Sequence, residues 1–345
     1  MDPVYRNGLS GVDETEWGDS LKRYRSVLPV MDPSLYRLPL APTPLVELAP
    51  LYGTPVFGKV EGVLPTRSTK DRLVAVALPF MLERGVRRFA FSSTGNTALA
   101  YAHGLHMYPE LDARLYVSYS VDRETLGPLP PNLSAIVVNG DYATASARVR
   151  EHASQTGFAP EGGFFNVGRR EGAKLAYLEA LEELASRGII VGAVVQAVAS
   201  GLGIYAAARA IAELSSAGRI ARVPRLFCVQ QASCAPMVSA YHANGEWEKA
   251  DHIVRNPNGI APSILLGDPF ASYESVAHAV RDSGGNFVAV EEGEVADVLG
   301  LYADRSVPIG ASAAVGLAGV SRIVQSWPLE PDEALLVMLT GGPGR

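Results

Sequence analysis

The stretch Arg67-Ser68-Thr69-Lys70-Asp71-Arg72 stands between a loop punctuated by glycine and proline and an apolar run, Leu73–Leu78. The apolar run predicts a helix, and Lys70 falls in its first turn. The amide dipoles at a helix N-terminus favour anions over ammonium groups, so the charged form of Lys70 is disfavoured there. This position suits an amine that forms a Schiff base. A solvated lysine on a surface helix also fits, because lysines are usually exposed.

The segments on either side of this helix indicate the fold class. The strand Pro55–Val60 precedes the helix and the strand Arg87–Ser93 follows it, and such strand–helix units repeat along the chain with short connections. The apolar run Val191–Val198 fits a strand buried on both faces of a parallel sheet. The pattern predicts an α/β protein with a parallel sheet covered by helices. Residues 1–40 have weak periodicity and are predicted to form an extended arm with one short helix around Thr15–Tyr24.

Composition limits the class of partner. The 345 residues are 48% hydrophobic and 19% charged with a net charge of −6, which favours one large or two medium domains and a small ligand over nucleic acid. The two cysteines, Cys228 and Cys234, are too few for a disulfide framework, and the six histidines lack metal-ligand spacing. No apolar run suits a signal peptide or a membrane span. We therefore expect a cytoplasmic protein with no bound metal, no membrane partner and no nucleic acid.

Three loops follow predicted strands at the carboxyl ends, where ligands bind in open α/β sheets. Ser92–Thr97 offers hydroxyls, an amide side chain and helix N-terminal N–H groups for a carboxylate. Ser200–Gly203 offers backbone N–H groups for a phosphate, and Leu339–Gly342 offers a hydroxyl at a strand end. Together with the amine of Lys70, these are the parts that a pyridoxal phosphate site requires.

The pattern Gly201-x-Gly203-x-x-Ala206 after a strand also fits a dinucleotide fingerprint. That interpretation expects an acidic residue at the end of the next strand. The next predicted strand ends Val229-Gln230-Gln231, without an acid. The mismatch disfavours a dinucleotide-binding oxidoreductase.

Six motifs, in order, resemble those of fold type II pyridoxal-phosphate enzymes of the threonine synthase and cysteate synthase branch. The motifs are Ser68–Arg72, Ser92–Thr97, Gly163–Gly172, Gln196–Gly203, Ala235–Val238 and Leu339–Gly342. The resemblance extends from about Thr43 to the C-terminus. Any one of the motifs is weak evidence, whereas six in the family's order are strong.

The resemblance implies a role for each matching residue. Lys70 would form the Schiff base with the cofactor and move the α-proton, and Asn96 would bind the cofactor's ring hydroxyl. Thr340 would meet the pyridine nitrogen. The cofactor phosphate would be bound by Ala199, Ser200, Gly201, Leu202 and Gly203. The substrate carboxylate would be bound by Ser93, Thr94 and Thr97, and the leaving phosphate by Asn166 and Arg169.

The resemblance also implies a tryptophan synthase β-like architecture. This has two open, twisted, mostly parallel sheets flanked by helices, with pyridoxal 5'-phosphate between the two lobes. The implied large cofactor-binding domain comprises residues 41–75 and 165–345. A smaller mobile domain, 76–164, would carry the asparagine loop, and residues 1–40 would be the arm. A homodimer is expected on the same basis.

The implied reaction is elimination of phosphate from an O-phospho amino acid, followed by addition of a small nucleophile. The segments 163–172, 196–203 and 339–342 favour β-replacement on O-phosphoserine, as in cysteate synthase. Asp71-Arg72 favours threonine synthase, which uses O-phosphohomoserine and water. A catalytically silent binding protein on this fold is a further alternative, and the retained Lys70, Asn96 and Thr340 argue against it.

Two positions depart from the family's usual residues. Ala199 replaces a glycine, which is tolerable only where the backbone φ is negative. Arg67 stands where relatives often have glycine, and we expect its cation to lie beside the site and to recognise a second anion.

Overall fold

The structure is a computed structural model that describes residues 8–13, 15–93, 95–118, 126–140, 142–243, 251–303 and 306–344. The described residues form two compact units. The first contains the residues up to Ala41 and Lys70–Gly172, and the second contains Pro42–Thr69 and the residues from Ala173 onward. The division groups residues 70–75 and 165–172 with the first unit, whereas the sequence-based boundaries place them in the large domain, 41–75 and 165–345.

The strands and helices of the described residues are numbered in chain order. The strands are β1 (Leu45–Leu51), β2 (Thr54–Val60), β3 (Arg88–Ser92), β4 (Asp112–Ser118), β5 (Leu133–Val138), β6 (Ala159–Pro160), β7 (Ile190–Ala197), β8 (Arg225–Gln231), β9 (Asn286–Val290) and β10 (Glu333–Leu339). The helices are α1 (Ser20–Arg23), α2 (Lys70–Glu83), α3 (Asn96–Leu105), α4 (Tyr142–Thr156), α5 (Val167–Ser186), α6 (Leu202–Ser216), α7 (Pro236–Ala243), α8 (Phe270–Asp282), α9 (Glu292–Tyr302) and α10 (Ala311–Ser326).

The second unit is built on a six-stranded sheet with the order β1-β2-β10-β7-β8-β9. β1 pairs antiparallel with β2, and every other neighbouring pair is parallel. α10 packs across β7, β8 and β10. It can approach the sheet closely because Gly319 has no side chain: a Cβ there would lie 2.6 Å from Cγ2 of Val229. β7 and β10 are almost wholly buried, as strands at the centre of a parallel sheet must be.

The first unit is built on a four-stranded parallel sheet with the order β5-β4-β3-β6. α4 packs on β3 and β4, and α2 packs on α3. Gly104 allows this close helix contact, since a Cβ there would lie 2.7 Å from Cγ1 of Val74. Both sheets are therefore mainly parallel and flanked by helices, and the predicted α/β class is confirmed.

The N-terminal segment contains the predicted short helix, which is α1 (Ser20–Arg23), but the rest of it is not extended. Residues 15–41 contain α1 and short 3-10 turns, and Leu21, Tyr24 and Val27 are buried. The Tyr108 hydroxyl donates to the carbonyl of Leu35 at 2.8 Å, which fixes this segment on the first unit. Burial of these apolar side chains outweighs the weak local periodicity.

Within the described ranges, no helix is long and apolar enough to cross a membrane. The same residues contain no cluster of three or more His, Cys, Asp or Glu that could hold a metal ion.

Candidate active site

The carboxyl ends of β2, β10 and β7 lie at one edge of the six-stranded sheet, because these neighbouring strands run parallel. The loop after β2 leads to Lys70, the loop after β10 begins with Thr340, and the loop after β7 contains Ser200 and Gly201. Open α/β sheets bind ligands at this edge. The fold thus brings together the predicted phosphate loop and the predicted ring-nitrogen residue.

Backbone contacts join the segment before Lys70 to the end of β10. The N–H of Thr69 donates to the carbonyl of Thr340 at 3.0 Å, and the N–H of Gly342 donates to the carbonyl of Arg67 at 2.9 Å. Between these bonds, Ser68 forms an antiparallel bridge with Gly341. The chain therefore enters α2 from a segment that is held on the edge of the sheet.

Arg67 has a left-handed backbone, with φ of +56°. Glycine adopts this conformation without strain, whereas a residue with a Cβ does not. The Arg67 side chain is exposed, and its Nη1 donates to the carbonyl of Pro343 at 3.3 Å. Recognition of a second anion by Arg67 remains a prediction.

The phosphate loop has a bare backbone at the N-terminus of α6. Gly201 is the N-cap, has φ of +74° and provides no side-chain cap. A Cβ on Gly201 would lie 2.6 Å from Cγ2 of Val276, and a Cβ on Gly203 would lie 2.7 Å from Cδ of Gln196. Side chains are thus excluded, and the N–H groups of the first turn have no acceptors within the helix. Among the described non-glycine residues, positive φ occurs at Tyr52, Arg67 and Asn256, so Ala199 meets the required negative φ.

Lys70 is the first residue of α2 and is half-buried. The helix start that the sequence predicts is thus confirmed. Asp71 and Arg72 follow in the same turn and are buried. A carboxylate at this end of a helix is favoured by the helix dipole, and Asp71 occupies that place.

The predicted carboxylate loop lies between β3 and α3. Asn96 and Thr97 are the first two residues of α3 and are half-buried. The hydroxyl of Ser93 is buried and accepts the N–H groups of Gly95 at 3.2 Å and Ala98 at 3.0 Å. Ser93 therefore caps α3, and its own hydroxyl hydrogen can still be donated. Thr94 lies outside the described residues.

Asn166 and Arg169 lie around a buried carboxylate, that of Glu161. Nη1 of Arg169 is 3.1 Å from Oε2 of Glu161, and Nδ2 of Asn166 is 3.3 Å from Oε1. Glu161 also accepts the Tyr101 hydroxyl at 2.6 Å and the N–H of Gly163 at 2.8 Å. The sequence motif predicts that these two side chains face a phosphate, and it gives no sign of the acid that binds them.

Arg169 is charged and only partly satisfied by Glu161. Burial alone would lower the pKa of Arg169, but the Glu161 carboxylate, with smaller contributions from Tyr101 and Tyr142, raises it overall. Nε of Arg169 is buried and has no hydrogen-bond partner among the described residues. The neighbouring Arg170 has a different partner, because its Nε donates to the carbonyl of Phe164 at 2.7 Å. Arg169 thus keeps a donor that an anion could use.

The structure adds Glu161, Tyr101 and Gln196 to the residues of interest. Gln196 could have been identified from the sequence, because it is a polar residue within the apolar strand β7. Glu161 could not, since its partners come from α3 and α5, which only the fold brings near. Both cysteines are buried, and burial raises the pKa of each thiol, which disfavours a nucleophilic role.

Comparison with known proteins gives consistent matches. The sequence model of the family described as "Pyridoxal-phosphate dependent enzyme" matches residues 36–341. The cysteate synthase of Methanothrix thermoacetophila is 27% identical over 285 residues, which cover 81% of this chain and 68% of that protein. The threonine synthase of Mycobacterium leprae is 28% identical over 351 residues, which cover 97% of this chain and 91% of that protein. The solved structure of maize serine racemase matches with a TM-score of 0.71 at 16% identity and covers 88% of each chain, a likeness of fold.

Proposed function

The chain belongs to the family of pyridoxal-phosphate-dependent enzymes, and on that premise we propose that it eliminates phosphate from an O-phospho amino acid and adds a nucleophile. The predicted resemblance to the threonine synthase and cysteate synthase branch is confirmed by relatives of both kinds. The favoured substrate is O-phosphoserine, with replacement at the β-carbon. The single observation that carries this choice is the likeness to cysteate synthases.

The residues present fit pyridoxal phosphate. The bare backbone at Gly201 and Gly203 leaves unpaired N–H groups at a helix N-terminus, where a phosphate is favoured by charge and hydrogen bonding. Thr340 follows the neighbouring strand and offers a hydroxyl for the ring nitrogen. When bound, the cofactor withdraws electrons from the α-carbon of an amino-acid substrate.

The protein side chains then bind the substrate and move its proton. Lys70 would hold the cofactor through Nζ and would act as the base that takes the α-proton of the substrate. Its place in the first turn of α2 disfavours the charged amine, which suits a base. Asn96 binds the cofactor's ring hydroxyl. The substrate carboxylate is held by Ser93, Thr94 and Thr97.

Arg169 and Asn166 stabilise the leaving phosphate in this proposal. Glu161 fixes the guanidinium through Nη1, so that the remaining donors of the planar fork are held ready for an anion. The Glu161 carboxylate offsets part of the positive charge, which makes release of the phosphate product easier than release from an isolated arginine.

Phosphate release tests the substrate. Enzyme and O-phosphoserine should liberate inorganic phosphate, and a panel of nucleophiles with product mass as readout should identify the nucleophile that adds.

Arg169→Leu should lower kcat/KM for O-phosphoserine by about 10-fold or more, and lower it little for O-acetylserine, whose leaving group is not a phosphate. Arg148→Leu is the control, because Arg148 is exposed on α4 and paired with Glu151. Equal losses on both substrates would assign Arg169 a structural role, and reaction of O-acetylserine alone would overturn the phosphate proposal.

The alternative is threonine synthase, with O-phosphohomoserine and water. The observation in its favour is the length of the match. The match to the threonine synthase of Bacillus sp. strain ULM1 covers 93% of this chain and 88% of the threonine synthase. The match to the cysteate synthase covers only 68% of the cysteate synthase. Phosphate release from the two phospho amino acids, measured side by side, separates the two candidates.

A further inference from the structure

Gln196 is a polar side chain at the end of the apolar strand β7. It is 8% exposed, and its amide oxygen accepts the hydroxyl of Tyr177, which projects from α5 and is 2% exposed. Burying an amide without hydrogen bonds is costly, so a glutamine here needs partners for both ends of its side chain. Tyr177 satisfies the oxygen end.

Tyr177 fixes which way the amide faces. Burial, followed by the nearby Glu61 carboxylate and Cys228, raises the pKa of the Tyr177 hydroxyl well above its usual value. The hydroxyl therefore stays protonated and has a hydrogen to donate, and in the structure it donates to the oxygen of Gln196. With the oxygen bound to Tyr177, the amide nitrogen and its two hydrogens are not used by this bond.

The amide group of Gln196 lies against the phosphate loop. A Cβ on Gly203, the second residue of α6, would stand 2.7 Å from Cδ of Gln196 and 2.5 Å from its amide oxygen, and the amide nitrogen would be the nearest atom. Within the described part of the chain this nitrogen has no hydrogen-bond partner. A side chain more than nine-tenths buried thus presents unused donors where the uncapped N-terminus of α6 begins.

We propose that Gln196 is a cofactor-phosphate ligand, donating from its amide nitrogen to a phosphate oxygen beside the N–H groups of residues 201–203. Tyr177 is the positioning residue, because it holds the amide in the orientation that presents the nitrogen. Gly203 is without a side chain because the amide of Gln196 occupies that space. The inference concerns the cofactor and does not depend on which amino acid is the substrate.

The test compares two ligands that differ only in the phosphate. Apoenzyme is titrated with pyridoxal phosphate and with pyridoxal, and binding is followed by absorbance. Gln196→Glu is nearly isosteric and keeps the acceptor for Tyr177, but replaces the donor with an anion. This variant should lower the affinity for pyridoxal phosphate by about 100-fold or more and the affinity for pyridoxal by only about threefold. The reason is that a charged hydrogen bond to the phosphate is lost and a repulsion is added.

Two further variants keep the result interpretable. Tyr177→Phe should lower the affinity for pyridoxal phosphate by about 10-fold relative to that for pyridoxal, because the Gln196 amide loses its orientation. Gln230→Glu is the matched control. Gln230 is the penultimate residue of the adjacent strand β8 and is buried, and its oxygen accepts the N–H groups of Met237 and Val238. This control should leave the ratio of the two affinities unchanged.

An unchanged ratio of pyridoxal phosphate to pyridoxal affinity in Gln196→Glu and Tyr177→Phe would overturn the proposal and leave Gln196 as a packing residue. Inorganic phosphate supplies an independent readout. It should compete with pyridoxal phosphate in the wild type and lose about 10-fold in potency in Gln196→Glu. Undiminished competition would also contradict the assignment. Binding of pyridoxal phosphate by the wild type tests the family premise separately.

Discussion

The backbone N–H of Thr69 donates to the backbone carbonyl of Thr340 at 3.0 Å. One residue precedes the lysine that is predicted to hold the cofactor, and the other is the residue predicted to face the pyridine nitrogen. Because the bond joins backbones, it persists whatever the side chains do. The lysine therefore follows directly from a fixed point on the edge of the six-stranded sheet.

The left-handed backbone of Arg67 predicts an unusual ranking of variants at this position. Arg67→Gly should be more stable than Arg67→Ala by about 1 kcal/mol, because a Cβ is strained at φ of +56° and glycine is not. Both variants lose the same contact with the carbonyl of Pro343, so the comparison isolates the backbone. Urea denaturation measures the difference. Equal stabilities, or a more stable alanine variant, would argue against the conformation.

Gly62 is predicted to be intolerant of alanine. A Cβ there would lie 2.7 Å from Cα of Gly342 and 2.8 Å from the carbonyl oxygen of Pro308, both of which are backbone atoms that cannot rotate away. Gly62→Ala should lower the free energy of unfolding by about 1–3 kcal/mol and weaken cofactor binding. Gly293→Ala is the control, since Gly293 lies in α9 with open space around its Cα. Equal behaviour of the two variants in urea denaturation would show that the loop tolerates displacement.

The Glu161–Arg169 pair predicts a stability effect as well as a catalytic one. Glu161→Gln leaves the Arg169 cation without its buried partner, and should cost about 3 kcal/mol in the free energy of unfolding. Glu151→Gln, which removes the exposed partner of Arg148, should change stability little. If chemical denaturation gave Glu161→Gln the stability of the wild type, the pair would not hold this segment.

Tyr177 predicts a dependence of stability on alkaline pH. Burial, then Glu61 and Cys228, raise the pKa of Tyr177 in the folded state, whereas the unfolded chain loses this proton at about pH 10. Its contribution to stability is thus complete below about pH 10 and falls as the pH rises toward the folded pKa. The loss in the free energy of unfolding caused by Tyr177→Phe should therefore be smaller at about pH 11 than at about pH 8, by about 1.4 kcal/mol. Denaturation curves at both values measure it, and a constant cost would contradict the raised pKa.

The main elements could be predicted from sequence because their apolar patterns are strong. Helix α2 begins at Lys70 and strand β2 spans Thr54–Val60, as the sequence pattern indicates. Strand β9, Asn286–Val290, was not predicted, since a five-residue run bounded by glycine and acidic residues has little periodic signal. The 3-10 turns at Arg25–Val27 and Pro33–Leu35 were not predicted for a different reason, because tertiary contacts such as that of Tyr108 with Leu35 fix this segment.

Some parts of the candidate site could likewise be predicted from the sequence and others could not. The loops at Ser92–Thr97, Ser200–Gly203 and Leu339–Gly342 could be placed because they follow recognisable strands. The backbone of Arg67 could not, because an arginine gives no sign of a left-handed conformation. The partner of Arg169 could not either, since Glu161 lies eight residues away across a turn and meets it only in the fold.

Mapping the covalent attachment of the cofactor tests the account most directly. The protein is incubated with pyridoxal phosphate, reduced with borohydride and digested, and the modified peptide is identified by mass. The label should lie on Lys70, and Lys70→Ala should lose both the label and turnover while keeping its fold. Label on Lys59 or Lys174, which are buried and paired with Glu179 and Glu213, would contradict the assignment, as would a Lys70→Ala variant with normal turnover.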